Sequence, residues 1–195
     1  MTITQEPKLA KPGAGLPFVE WLVAKYIIFP NRFRSTTIEQ AIEQFEDESK
    51  KIIELISGLN DDQLTQRRLI PRLRGLEDSS RFWSIAMTVQ HLNIVGEGML
   101  GIVVSLSRGK NELPLRGIAD VKPTVDVDAQ ETIANFKELT VNFGRLARKI
   151  DFEKHSDTKH PHPWFGPLNA REWTLFAAPH QAIHRKQIEQ VIERL

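Results

Sequence analysis

Apolar residues recur at helical spacing in four segments of the chain. Between residues 38 and 59 they form one face, opposite acidic and lysine side chains, which predicts an amphipathic helix. A second segment, from about Ser79 to Arg108, is apolar around much of its circumference, so the helix that it predicts is central. A third apolar seam runs from Ile133 to Ile150, and a fourth pattern runs from Asn169 to the C-terminus. No segment alternates apolar and polar residues as a strand does, which favours an all-α protein.

The ends and the middle of these segments carry further signals. Three helices are predicted to begin with a capping box, in which two side chains satisfy free backbone donors of the first turn. The residue pairs are Thr36 with Glu39, Asp128 with Glu131, and Asn169 with Glu172. Gly96, Gly98 and Gly101 each weaken the second helix by roughly 1 kcal/mol relative to alanine, which predicts a close backbone approach or a bend. Four long helices with long connections indicate a four-helix bundle.

The chain before these helices divides into a polar and an apolar part. Residues 1–15 contain two prolines and two glycines and are predicted to form a flexible tail, whereas residues 16–195 are predicted to form one helical domain. Leu16–Phe29 is apolar but interrupted by charges, and Pro30 is predicted to stop it. The stretch is shorter than the roughly 20 apolar residues that span a bilayer, so we expect it to pack on the body or in a subunit interface.

The composition limits the chemistry available to the chain. Its 195 residues are 41% hydrophobic and 26% charged, and the formal net charge of +1 argues against binding to nucleic acid or to a membrane surface. Without cysteine the chain can form no disulfide, iron–sulfur cluster or cysteine–zinc site. Because no membrane-spanning or secretory pattern is found, we expect a cytoplasmic location. Six histidines and the carboxylates remain for metal binding or acid–base chemistry.

Two histidines of the last predicted helix have the spacing of metal ligands. His180 and His184 are four residues apart on a face that continues through apolar residues, so both rings are predicted to point inward. His91 lies midway along the apolar second helix. Each ring alone is also compatible with a hydrogen-bonded core histidine, but one divalent ion would satisfy all three buried imidazoles together.

Two stretches of the sequence resemble signatures of the DinB-like, or YfiT-like, four-helix bundle family. In the first, Phe82–Leu92, a Trp-Ser pair precedes His91 by eight and seven residues. The second begins with the His-Pro-Trp-Phe-Gly-Pro-Leu segment at residues 162–168. It continues with Glu172, Trp173, His180, His184 and Gln187. The resemblance extends from about residue 35 to the C-terminus.

The resemblance implies an intracellular helical bundle that forms a homodimer and binds one divalent metal ion through His91, His180 and His184. Nickel or zinc is favoured, with iron or manganese as alternatives, and the identity of the ligands alone does not choose among the four. Members of the family include metal-dependent transferases and isomerases that use low-molecular-weight thiols, and many members have no established activity. Met87 stands where many members carry an acidic residue, so we expect a more apolar pocket at this position.

Three histidine ligands leave coordination positions open, which is typical of catalytic metal sites. A water molecule or a thiolate on the ion would then carry out the chemistry on a small-molecule substrate. Because the chain has no cysteine, a thiol would have to be an external low-molecular-weight thiol. The sequence therefore predicts a metal-dependent enzyme, a hydrolase or a thiol transferase, without an identifiable general base. The alternative is a non-catalytic, dimeric helical binding module whose metal site is vestigial or structural.

Three further features lie outside the proposed set of metal ligands. His155, His160 and His162 lie in a segment predicted to be an exposed loop, with His162 as a candidate for the mouth of the pocket. A basic cluster before the second helix is predicted to be solvated rather than to bind anions. Its members are Arg67, Arg68, Arg72, Arg74 and Arg81. Pro179, inside the last helix, is expected to kink that helix and to aim His180 at the metal.

Overall fold

The computed structural model describes residues 6–195, so the first five residues of the predicted tail lie outside the described residues. The described chain is mainly helical. Its long helices are α3 (Ile38–Ile56), α5 (Ile85–Leu106), α6 (Ala129–Ala147) and α7 (Ala170–Ile192). The shorter helices are α1 (Phe18–Val23), α2 (Phe29–Ser35) and α4 (Asp61–Thr65). Two strands, β1 (Lys159–His162) and β2 (Gly166–Asn169), pair as an antiparallel hairpin.

The long helices form a four-helix bundle in which consecutive helices are not always neighbours. α3 packs against α6 and α7, and α5 packs against the same two helices, so α3 and α5 lie diagonally opposite each other. The long connection 57–84 makes this crossing possible. In the core, the rings of Phe45 and Phe143 are stacked with centroids 4.3 Å apart. The predicted all-α, four-helix bundle fold is confirmed.

The helix α5 is the central and most apolar element of the bundle. Among the described helices it alone is long and apolar enough to cross a membrane by length and composition. A core helix has the same composition, and α5 packs between α6 and α7. Gly96 confirms the predicted close approach, since a Cβ there would lie 2.6 Å from Leu139 of α6. Gly98 and Gly101 do not, because a Cβ at either position would meet no atom within 4 Å.

The predicted starts of α6 and α7 are confirmed. Asn169 and Glu172 form the predicted reciprocal capping box at α7. At α6 only half of the predicted box is present, in which the Asp128 side chain accepts a hydrogen bond from the Glu131 N–H. Each of these starts depends on residues only three positions apart, which a sequence displays directly. The segment after α3 contains the short helix α4, which has a capping box of its own, begun by Asn60.

The helices α3 and α5 begin later than predicted. The capping box of α3 consists of Thr37 and Gln40, one residue after the predicted pair. The reason is that the Thr36 N–H still bonds to the Arg32 carbonyl and thereby ends α2. The helix α5 begins after Ser84, whose hydroxyl accepts a hydrogen bond from the N–H three residues further on. A 3₁₀ turn occupies part of the region in which α5 was expected to start.

The apolar segment Leu16–Phe29 is helical, but it does not stop at Pro30 as predicted. The helix α1 runs into a π-helical turn, Ala24–Ile28, which leads directly into α2. In this turn the Phe29 N–H bonds to the Ala24 carbonyl, five residues earlier. Pro30 occupies the first turn of α2, directly after the π-helical turn, and the helical run continues through the proline instead of ending there.

One side of this N-terminal element packs on the body, as predicted. The Trp21 indole N–H donates to the Trp164 carbonyl at 2.8 Å, and the Glu20 carboxylate accepts hydrogen bonds from Arg72 and from the Gly75 N–H. The opposite side is exposed and apolar. Its side chains are Phe18, Val19, Val23, Tyr26, Ile27 and Ile28. The expected homodimer stays a prediction.

Residues 6–15 lie against the connection between α3 and α5 without helix or strand. The N–H groups of Gly13 and Gly15 donate to the Glu77 carboxylate at 2.7 and 3.1 Å. Four arginines of the basic cluster also make contacts within the protein. Three donate hydrogen bonds to backbone carbonyls: Arg67 to Phe82, Arg68 to Arg194 and Arg81 to Ile70. The fourth, Arg72, forms an ion pair with Glu20. The prediction of a solvated cluster is wrong for Arg67, Arg68 and Arg81, which are half-buried, whereas Arg72 is exposed as predicted. The flexibility of the tail stays a prediction.

The segment before α7 is not the exposed loop that the sequence predicted. In the hairpin, His160 pairs with Leu168 and Pro161 pairs with Pro167. Alternation along β1 turns both of its histidines inward, so that His160 is 4% exposed and His162 is 9% exposed. The strand β2 contacts α7, which fixes these histidines beside the first turns of that helix.

Pro179 lies inside α7 and leaves the Leu175 carbonyl, four residues earlier, without its helical donor. Arg32 of α2 replaces the donor, with its Nε 2.6 Å from the carbonyl oxygen. Burial lowers the pKa of this arginine below its ordinary value. The proline thus provides a docking point for α2, and the expected aiming of His180 stays a prediction.

Replacing Arg32 by alanine is expected to lower the free energy of unfolding by about 1–3 kcal/mol, because the buried Leu175 carbonyl loses its donor. Urea denaturation measures the change. The matched control is Arg34→Ala, since Arg34 is exposed and bonds to the Asn31 side chain at the surface. This control is expected to change stability by less than about 0.5 kcal/mol. Equal losses in the two variants would contradict the role of Arg32.

Candidate metal centre

Three histidines meet where α5 packs against α7. The ring centroids of His91 and His180 are 5.3 Å apart, and both rings have centroids 4.6 Å from that of His184. One ring nitrogen of each histidine lies within 4.8 Å of those of the other two. In a metal site, each of these nitrogens would lie about 2.1 Å from the shared ion. Small movements of the three side chains are enough to bring their nitrogens to this distance from one ion. The structure therefore brings together the three histidines that the sequence singled out.

Hydrogen bonds determine which nitrogen is free in two of these rings. His91 Nδ1 lies 2.7 Å from the Val121 carbonyl oxygen, which can only accept, so Nδ1 carries the proton. His184 Nδ1 lies 2.7 Å from Gln187 Oε1, and Gln187 Nε2 in turn donates to the Ser80 carbonyl at 2.8 Å. Both rings are held with Nε2 unprotonated, and this is the lone pair that a metal ion binds.

Burial keeps the three rings neutral. It lowers the pKa of His91 from 6.5 to about 4, although the hydrogen bond to Val121 opposes this shift. Burial and the neighbouring histidines hold the pKa values of His180 and His184 well below their ordinary value. One divalent ion would accept a lone pair from each of these three neutral rings. The donor set therefore fits a divalent metal ion.

An aromatic ring and an ion pair form the wall beside the histidines. The Trp83 ring lies parallel to that of His184, with an interplanar angle of 6° and centroids 6.3 Å apart. Lys122 Nζ lies 4.9 Å above the Trp83 ring and 3.0 Å from the Glu77 carboxylate. Burial lowers the pKa of Lys122 below its ordinary value. Burial acts to raise the pKa of Glu77, but hydrogen bonds to the Glu77 carboxylate outweigh this effect, so that the pKa of Glu77 also lies below its ordinary value. Because the pair is charge-balanced, this wall adds no net charge.

The three histidines line a cavity of about 570 Å³. Its walls come from α5, α7, the hairpin and the two connections that precede and follow α5. The largest side chains in the wall are those of Trp164, Trp173 and Phe176. A cavity of this size with mainly apolar walls is typical of sites for small molecules. The histidines and the cavity therefore form one continuous site.

His162 also lines this cavity, which corrects its predicted place in an exposed loop. Its ring centroid lies 4.8, 5.1 and 4.6 Å from those of Phe165, Trp173 and Phe176. Its Nδ1 accepts a hydrogen bond from the Trp164 N–H at 3.2 Å, so the proton of the neutral ring is on Nε2. Burial lowers the pKa of His162 from 6.5 to about 3. The ring therefore stays neutral at physiological pH.

The substitution His162→Phe is expected to make stability less sensitive to acid. Because the folded-state pKa of about 3 lies below the unfolded value of 6.5, the unfolded state binds more protons, and stability falls as the pH falls through this window. Between pH 7 and pH 5 this one histidine accounts for a loss of about 2 kcal/mol, which the variant should not show. Urea denaturation at the two pH values measures the difference.

The matched control for this prediction is His155→Phe. His155 precedes the hairpin, is only half-buried and does not line the cavity. The control should lose as much stability on acidification as the wild type. A His162→Phe variant that does the same would contradict the assignment of a depressed pKa to His162.

Two sequence expectations about the cavity need correction. Met87 is buried but does not line the cavity, so the prediction that this residue makes the pocket more apolar is wrong. His160 was expected to be exposed, but it lines the cavity. The carbonyl of Val121, which orients His91, was missed because any residue type can supply a carbonyl. Gln187 lies three residues after His184, and this spacing on a helix is a signal that could have indicated the contact.

Comparison with known proteins places this geometry in a family. Residues 44–188, which include all three histidines, match the profile of the DinB superfamily. The solved structure of YfiT from Bacillus subtilis is similar, with a TM-score of 0.59 and 16% sequence identity over 80% of this chain and 86% of that chain. YfiT is described as a probable metal-dependent hydrolase with an unusual four-helix bundle topology. No curated protein matches the sequence significantly. Because the profile spans well over half of the chain, the protein belongs to the DinB superfamily.

Proposed function

We propose that this protein is a metal-dependent enzyme in which His91, His180 and His184 hold one divalent ion and the adjoining cavity holds a small-molecule substrate. The observation that carries the proposal is the pair of Nδ1–H hydrogen bonds made by His91 and His184. They leave two Nε2 lone pairs free beside His180, which is the arrangement a shared ion requires. The description of YfiT as a probable metal-dependent hydrolase supports the proposal.

The first candidate reaction is hydrolysis, and the second is transfer of an external low-molecular-weight thiol. When bound, the ion would supply a Lewis acid that lowers the pKa of a water molecule or of a thiol. The chain itself holds the ligand rings through Val121 and Gln187 and surrounds the site with apolar side chains that exclude bulk water. Three imidazoles suit nickel or zinc first, with iron or manganese as alternatives.

The experiment begins with protein purified without a metal-affinity tag, whose metal content is measured by elemental analysis. We expect about one divalent ion per chain. Turnover is then measured with and without the metal on a panel of esters and amides, and on a panel of low-molecular-weight thiols with an electrophile. Metal-dependent turnover on either panel supports the enzyme and identifies its reaction class. Stoichiometric metal without any turnover supports the non-catalytic binding module with a structural metal site, and absence of metal contradicts the proposed enzyme.

A further inference from the structure

One face of α5 lines the cavity over a length far greater than the metal centre. It begins at His91 and ends at Ser105, and most of its members are apolar or glycine: Ile94, Val95, Gly98, Met99, Gly101 and Ile102, with Glu97 as the one charged residue. At about 1.5 Å per residue, the face from His91 to Ser105 is about 21 Å long. The cavity therefore extends along the helix, with the three histidines towards one end of it.

Gly98 and Gly101 form the middle of this face, and packing does not explain either of them. A Cβ at either position would meet no atom within 4 Å, and neither residue has a positive φ. Gly96, on the same helix, shows the contrast, because a Cβ there would collide with Leu139. Since glycine weakens a helix relative to alanine, these two positions carry a cost without a gain in packing. What they provide is space in the cavity.

His162, which lines the same cavity, has one ring nitrogen that no protein group engages. Its Nδ1 accepts a hydrogen bond from the Trp164 N–H, so the proton of the neutral ring is on Nε2. Within residues 6–195 this is the only hydrogen bond between the ring and the protein, so the Nε2–H is free to donate to a molecule in the cavity. A mainly apolar wall with a few polar groups is typical of a site for a small molecule.

We propose that the cavity binds an elongated, mainly apolar small molecule that lies along Gly98 and Gly101 and accepts a hydrogen bond from His162. Its polar end lies at the three histidines, so this inference rests on the proposed function and names the class of its substrate. Gly98 and Gly101 then determine specificity, because a large side chain at either position would occupy the space of the ligand.

The test uses the full-length, zinc-loaded protein and two probes, octanohydroxamate and acetohydroxamate, which share a metal-binding group and differ in chain length. By calorimetry, the wild type is expected to bind the longer probe at least about tenfold more tightly, because its alkyl chain is buried. Gly98→Leu and, independently, Gly101→Leu are expected to lose about tenfold in affinity for the longer probe and to bind the shorter one as the wild type does. Gly98→Ala is the matched control and is expected to keep both affinities.

The proposal is overturned if the wild type binds both probes equally, or if both leucine variants keep the full preference for the longer probe. Binding of 1-octanol to the metal-free protein, followed by tryptophan fluorescence, separates this proposal from the metal-dependent function. If zinc does not bind but octanol does, and Gly98→Leu weakens octanol binding, the apolar site stands and the metal-dependent function is overturned. If zinc binds but neither octanol binding nor a preference for the longer probe is found, the apolar site is overturned and the metal centre stands.

Discussion

The substitution His180→Ala is expected to lower the metal content from about one divalent ion per chain to less than about a tenth of that value after dialysis, since two imidazoles alone bind such ions weakly. His180 is the most informative ligand to remove. In the described part of the chain its ring makes no hydrogen bond to protein, whereas the rings of His91 and His184 hold Val121 and Gln187. Its removal therefore tests metal binding with little disturbance of the fold, and elemental analysis gives the result.

The matched control for this prediction is His155→Ala. His155 lies before the hairpin and does not line the cavity, so its removal takes one imidazole from the chain without touching the centre. The control should retain about one ion per chain. Unchanged metal content in His180→Ala, or an equal loss in His155→Ala, would contradict the assignment of the ligands.

The substitution Gln187→Leu is expected to weaken metal binding by about 10- to 100-fold, although Gln187 is not itself a proposed ligand. The fully buried Gln187 side chain accepts from His184 and donates to the Ser80 carbonyl, so it fixes both the tautomer and the orientation of the His184 ring. Leucine of similar size leaves the His184 Nδ1–H without an acceptor, and the proton can move to the nitrogen that should bind the ion. A competition titration against a chelator measures the affinity.

The matched control is Gln190→Leu, the same change one helical turn further along α7. Gln190 bonds to Glu193 near the surface and contacts neither the histidines nor the cavity. It should bind metal as the wild type does. Gln187→Leu is also expected to lose about 1–3 kcal/mol of stability, because two buried polar groups lose partners. A variant that is destabilised but binds metal with full affinity would show that Gln187 has a structural role only.

The parts of the fold that follow from short-range patterns could be predicted from the sequence. Asn169 and Glu172 are three residues apart and cap α7 whatever surrounds it. His180 and His184 are one helical turn apart, so any helix here places both rings on one side. His91 lies on a different helix. It comes close to this pair because the apolar faces of the two helices pack against each other in the bundle.

The hairpin and the burial of His162 depend on contacts that the sequence does not display. Pro161 and Pro167 face each other in the hairpin, and prolines argue against strands in any sequence-based prediction. The burial of His162 arises from Phe165 and Phe176, and the second of these lies on α7. Because this segment is polar and rich in proline, its composition alone predicts a loop and gives no sign that its histidine packs into an aromatic cluster.

The glycines of α5 show the same limit within one helix. Gly96 and Gly98 look equivalent in sequence, yet the first permits close packing on Leu139 and the second faces open space. The difference depends on the position of α6, which passes one side of α5 while the cavity lies on another. Only the tertiary structure separates a glycine needed for packing from a glycine that leaves room for a ligand.

The central claim is that one divalent ion is shared by the Nε2 atoms of His91 and His184 and by His180. Anomalous diffraction from crystals of metal-loaded protein, recorded on both sides of the absorption edge of the metal, tests this most directly. The account predicts one peak per chain, about 2.1 Å from a ring nitrogen of each of the three histidines, with His91 and His184 binding through Nε2. A peak elsewhere, coordination through Nδ1 of either ring, or no peak in stoichiometrically loaded crystals would contradict it.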